Sequence, residues 1–85
     1  MVAPELQLKV VPNPMKDGAW IRLMGQQGQE RLTLRLFDVS GRVVRQIDGA
    51  GNEVWLERSD LMSGMYFFTL EKDGIWQASA KLVVE

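Results

Sequence analysis

The chain has no cysteine and no histidine among its 85 residues. Without cysteine there is no disulfide and no thiolate metal centre, so packing and hydrogen bonds alone must hold the fold. Without histidine, the commonest general base, the commonest metal ligand and the usual activator of a serine nucleophile are gone. Long apolar runs are missing too, so no segment could form a helix across a bilayer. Charge of one sign is also lacking: ten basic and eleven acidic residues are interspersed, with a net of −1. That distribution does not build the basic face that nucleic acid requires. The opening Met1-Val2-Ala3-Pro4-Glu5 has no basic segment leading into an apolar stretch, so it is not read as a signal peptide. We read residues 1–85 as one domain; if it is exported, the signal lies upstream in a longer parent, and residues 1–5 are then a linker or an added start.

What is present suits a small, well-filled core. Apolar residues make up 46%, with three Trp and three Phe. Turn signals recur at short intervals: Pro12-Asn13-Pro14, Lys16-Asp17-Gly18, Gly25-Gln26-Gln27-Gly28, Ser40-Gly41, Asp48-Gly49-Ala50-Gly51-Asn52, Ser63-Gly64 and Asp73-Gly74. Between them, apolar residues alternate with polar ones, the period of a pleated strand. The stripes are Leu6, Leu8 and Val10; Ala19, Ile21 and Leu23; Leu32, Leu34 and Leu36; Tyr66, Phe68 and Leu70; and Ala78, Ala80, Leu82 and Val84. Two shorter candidates follow at residues 42–47 and 54–56, and residues 37–44 and 70–76 read as hairpins. About seven strands with no helix predict an all-β, immunoglobulin-like antiparallel sandwich.

No residue set amounts to a catalytic or metal centre. Asp38 and Asp48 flank turns, where Asp bonds local N–H groups. Ser40 and Ser63 each precede a glycine and have no histidine to activate them. Asp60 and Glu71 lack companions at ligand spacing. Gly25-Gln26-Gln27-Gly28 is not followed by the Lys-Ser/Thr pair of a phosphate loop. We therefore expect no enzyme activity, no cofactor and no metal. Trp20, Trp55 and Trp76 stand opposite the aliphatic stripes, where they pack at the rim of the core or form an aromatic surface that stacks a ligand. Phe37 and Phe67 point outward as well, and several such rings exposed together would mark a partner surface.

Four short motifs occur in order. An apolar strand runs into Val11-Pro12-Asn13-Pro14. Asp38-Val39-Ser40-Gly41-Arg42-Val43-Val44 forms the central hairpin. Leu61-Met62-Ser63-Gly64-Met65-Tyr66 leads a strand, and Ala80-Lys81-Leu82-Val83-Val84-Glu85 ends the chain. This order closely resembles the C-terminal sorting domains of type IX secretion, found in Bacteroidetes. The resemblance implies a signal domain that directs its parent through the outer-membrane translocon, followed by cleavage and attachment of the cargo at the cell surface. It implies as partners the translocon, shuttle and sortase-like components and an upstream cargo domain, with passage through the periplasm. Strand edges also offer a route to dimerisation.

The same resemblance assigns recognition to Gly41, Arg42, Gly64, Tyr66, Lys81, Leu82, Val83, Val84 and Glu85, and a structural part to Pro12, Asn13 and Pro14. Turn geometry alone asks for Gly41 and Gly64, and Tyr66 begins a core strand, so Lys81 and the tail are the better candidates for direct contact. The tail is expected to pair along a sheet edge. Deletion of residues 81–85 is then expected to block export while leaving the fold mostly intact. The alternative is a carbohydrate- or protein-binding sandwich appended to a secreted enzyme or adhesin, resting on Trp20, Trp55 and Trp76. A third reading is a plain structural spacer.

Overall fold

The computed structural model describes residues 7–24, 32–50 and 53–85. Among the described residues seven strands form: β1 (Gln7–Val11), β2 (Gly18–Met24), β3 (Leu32–Phe37), β4 (Val43–Ala50), β5 (Glu53–Glu57), β6 (Gly64–Lys72) and β7 (Ile75–Val84). They hydrogen-bond into a three-stranded sheet, β1-β2-β5, and a four-stranded sheet, β4-β3-β6-β7. Every neighbouring pair is antiparallel. The two inner faces close on one core, the arrangement of an immunoglobulin-like sandwich.

The core is built by the alternating stripes. Ala19, Ile21 and Leu23 of β2 and Leu56 of β5 face Leu32, Leu34 and Leu36 of β3. Tyr66, Phe68 and Leu70 of β6, with Ala78, Leu82 and Val84 of β7, complete it. Register holds the stripes level: Leu34 lies opposite Leu70 and Leu36 opposite Phe68. A slip of one residue would turn each stripe to solvent.

Several sequence expectations change. Gly18 is not a turn residue but the first residue of β2, buried, with the Trp55 ring lying where a side chain would start. The proposed turn at Asp48 begins later, because β4 runs on through Ala50. Three core residues were not in any stripe: Met15, wholly buried, Leu61, and Leu56 of the short candidate at 54–56. Leu6, the loop from Gly25 to Gly28, and Gly51 and Asn52 lie outside the described residues. At Asp73-Gly74 the hairpin has the expected form: both residues have positive φ, 52° and 79°, as a two-residue turn between twisted strands demands.

Candidate functional site

The motif turns meet at one end of the sandwich. Asp38 organises the β3–β4 hairpin: its Oδ1 accepts from the Ser40 N–H (3.0 Å), the Ser40 hydroxyl (2.6 Å) and the Arg42 N–H (3.0 Å). The Gly41 N–H donates to the Asp38 carbonyl (3.0 Å), and Gly41 takes φ +89°, which side-chain-bearing residues rarely adopt. The Ser40 hydroxyl and the Arg42 N–H hold the Asp38 carboxyl below its ordinary value of 3.8. Asp38 is thus a turn builder, while the Arg42 side chain stands 79% exposed, 3.4 Å from Asp38 Oδ2.

Beside this hairpin, Gly64 enters β6 at φ +149°, and Tyr66 turns inward, 7% exposed. Its hydroxyl donates to the Met62 carbonyl at 2.7 Å. A tyrosine at the start of a sandwich strand that bonds back to the preceding corner is a known lock in this architecture. Asp38, Arg42, Val44, Arg45, Asp60, Leu61, Met62 and Tyr66 line a shallow pocket of about 290 Å³, so two motifs far apart in sequence share one wall. Arg45 donates to Asp60 Oδ1 at 2.6 Å and draws its carboxyl below 3.8. Arg58, which no motif flagged, ties the corner together. Its guanidinium donates to the carbonyls of Leu61 and Lys16 and to the Ser63 hydroxyl. Its own N–H donates to the Asp17 carbonyl. These bonds join residues up to 42 positions apart, a separation that leaves no local pattern to read.

The tail is strapped from within. The Asn13 Nδ2 donates to the Lys81 carbonyl (2.8 Å), and the Val83 N–H donates to Asn13 Oδ1 (2.9 Å). The Met15 N–H donates to the Val83 carbonyl (2.7 Å), and the Glu85 N–H donates to the Met15 carbonyl (2.8 Å). The outer backbone edge of β7 is therefore taken over this stretch, and a partner strand cannot add there without displacing Asn13 and Met15. Leu82 and Val84 are buried in the core. The expectation that the tail can be deleted with the fold mostly intact is thus corrected: residues 81–85 supply two core side chains and the partners of the strap. Lys81 and Glu85 are the exposed side chains of the tail, with Glu85 3.9 Å from Lys16.

The remaining outward residues of the motif strands form one field. Val43 lies opposite Phe37, Phe37 opposite Phe67, and Phe67 opposite Lys81, a row across all four strands. One step on, Met65 lies opposite Val83. Direct cross-strand partners share a face. Val43, Met65 and Phe67 are 42–46% exposed and Phe37 between them is half-buried, so the outer face here is a partly exposed apolar surface with one lysine at its edge. Of the two outward phenylalanines, Phe67 is 43% exposed while Phe37 is half-buried.

The three tryptophans do not share a face. Trp20 and Trp55 are cross-strand partners on the outer face of the three-stranded sheet, with ring centroids 5.1 Å apart and planes at 64°. Trp76 lies in the other sheet. A register shift between Leu70 and Glu71 pairs it with Glu71, on that sheet's outer side. Asp38 and Asp48 are likewise apart: Asp48 accepts from Thr33 at 3.1 Å. Glu71 pairs with Arg35.

The solved structure of PorZ, an essential bacterial surface component of the type-IX secretion system of Porphyromonas gingivalis, is similar to this chain with a TM-score of 0.73 and 22% identity. The likeness covers 92% of this chain and 11% of that one, and it supports the sandwich fold. No curated protein sequence matches the chain. The family model described as "Secretion system C-terminal sorting domain" matches residues 9–85. Motif order, sandwich fold and this match agree, and the chain belongs to the family of secretion-system C-terminal sorting domains, the sorting signal of type IX secretion.

Proposed function

We propose that the secretion machinery docks on the outer face of the four-stranded sheet, at the end where the motif turns meet. Membership of the sorting family implies export to the cell surface or the extracellular space. The finer reading divides the family's residues into two sets. Gly41, Gly64, Tyr66, Leu82 and Val84 shape the surface from beneath, and Pro12, Asn13 and Pro14 carry the strap that pins the tail. Arg42, Lys81, Val83 and Glu85 touch the translocon or its shuttle. The observation that supports this is the outward row Val43, Phe37, Phe67 and Lys81, exposed at Val43, Phe67 and Lys81 and half-buried at Phe37, which the motif strands present side by side. A parent cargo upstream would cross the inner membrane by its own signal peptide. It would then pass the outer membrane under this signal and be released from it by a sortase-like peptidase and attached at the surface.

A reporter fused ahead of the domain tests the division. In a type IX-competent bacterium, Lys81→Ala and Arg42→Ala should keep the unfolding midpoint of the parent domain and leave the reporter in the periplasm. Surface display of both variants at the parent level would refute the contact roles. Deleting residues 81–85 is the poorer test, since it removes buried Leu82 and Val84 and so unfolds what it means to probe.

A further inference from the structure

On the opposite side of the sandwich, the sorting reading leaves a built surface unused. The outer face of the three-stranded sheet carries Val11, Trp20 and Trp55 in one cross-strand row. Lys9, Arg22 and Glu53 form the next row, and Glu57 lies beyond, opposite Gly18. The Trp55 ring rests directly on Gly18: a Cβ there would come within 2.2 Å of it. The indole thus lies against the Gly18 backbone and still keeps 44% of its residue surface exposed. Covering a strand glycine accounts for Trp55. It does not account for Trp20, which stands edge-on to it and is 40% exposed.

The polar groups around the rings are set for hydroxyls. Arg22 Nε donates to Glu53 Oε2 at 2.9 Å, and the Trp55 Nε1 donates to Glu57 Oε2 at 3.4 Å. Each carboxylate keeps further lone pairs free to accept, and the arginine keeps donors free to give. Two cations, Lys9 and Arg22, and two carboxylates, Glu53 and Glu57, leave the face without net charge. That balance suits a neutral ligand and disfavours a polyanion or a polycation.

We infer that this face is a binding platform for a neutral polysaccharide whose sugars offer a flat C–H face, that is, a β-linked chain with equatorial hydroxyls. A pyranose of that form stacks on the exposed indoles, while its rim hydroxyls reach the Arg22, Glu53 and Glu57 groups two residues along the strands on the same face. The platform lies on the sheet that does not carry the motif row, so glycan binding and sorting are separable by substitution.

The test uses the whole domain carrying Trp76→Phe, so that fluorescence reports Trp20 and Trp55 alone. Titration with cellohexaose and with chitohexaose should give a saturable change in emission for at least one of them. Trp20→Thr should weaken that binding by about tenfold or more. Arg22→Gln, which leaves both rings in place, should weaken it several-fold with an unchanged unfolding midpoint. Both variants should export a fused reporter like the parent. A flat response to both oligosaccharides would overturn the inference, as would binding that survives Trp20→Thr. A response to polygalacturonate instead, abolished by salt, would overturn the neutral-ligand assignment. Loss of reporter export in a folded Trp20→Thr variant would assign the face to the secretion machinery and overturn it as well.

Discussion

Tyr66 and Gly64 stand two positions apart in one motif, and they hold the corner by different means. Tyr66 supplies a hydrogen bond from inside the core, to the Met62 carbonyl. Tyr66→Phe keeps the ring and strands that carbonyl, which costs about 1 kcal/mol and lowers the thermal midpoint by roughly 4–8 °C in a domain of this size. Calorimetry reads this directly. Gly64 supplies only backbone freedom, since a Cβ there would meet nothing within 4 Å. Gly64→Ala is therefore strained by its φ of +149° and not by crowding, at about 1–3 kcal/mol, and no compensating change in a neighbour should rescue it. Asp38 adds a pH dependence. Its carboxyl is more acidic folded than unfolded, so its contribution is complete above the ordinary value of 3.8 and is lost as pH falls through the lowered one. Asp60 behaves in the same sense, through Arg45. Urea midpoints of the parent and of Asp38→Asn should therefore run apart at neutral pH and converge in acid.

At the scale of the element, legibility followed period and distance. β2, β3 and β6 were readable because one of their faces meets the core and the other meets solvent, which stamps a period of two on Ala19-Trp20-Ile21-Arg22-Leu23 and on residues 32–36. Met15 and Leu61 escaped because each lies in a connection where no alternation sets a phase: Met15 has no apolar neighbour within two residues, and Leu61 is followed directly by exposed Met62. Gly18 misled because a glycine after Lys16-Asp17 has the chemistry of a turn, and only its cross-strand diagonal partner Trp55 explains it. Trp76 faces outward as expected but stands apart from Trp20 and Trp55 because its strand belongs to the other sheet, which no local pattern reveals. In the candidate site, the Asp38 turn was legible from its local chemistry. The strap was not: its Asn13 bonds span 68 and 70 positions, and Pro12-Asn13-Pro14 reads locally as a plain turn. Asn13→Ala should leave the strands in place yet free the Val83 N–H, so that its hydrogen exchange quickens by about tenfold or more while β3 amides stay protected.

For the whole molecule, the two outer faces are unlike each other. The four-stranded face gathers the outward residues of the hairpin, strand and tail motifs into one apolar row. The three-stranded face carries an aromatic row flanked by balanced charges. The buried residues shared between the sheets make the motif end a consequence of the fold: Leu82 and Val84 lock the tail into the core, and this fixes where Lys81 and Val83 point. Family membership places the domain in type IX sorting; under the proposed docking, contact falls to outward side chains, because Asn13 and Met15 already occupy the backbone edge of the tail. Phe67 sits at the centre of that row, 43% exposed and outside the core, so it separates recognition from stability. The fraction of a fused reporter displayed at the cell surface with Phe67→Gln is the most direct measurement. The account predicts a domain that unfolds at the parent's midpoint and a reporter held in the periplasm. Display at the parent level from that folded variant would contradict it.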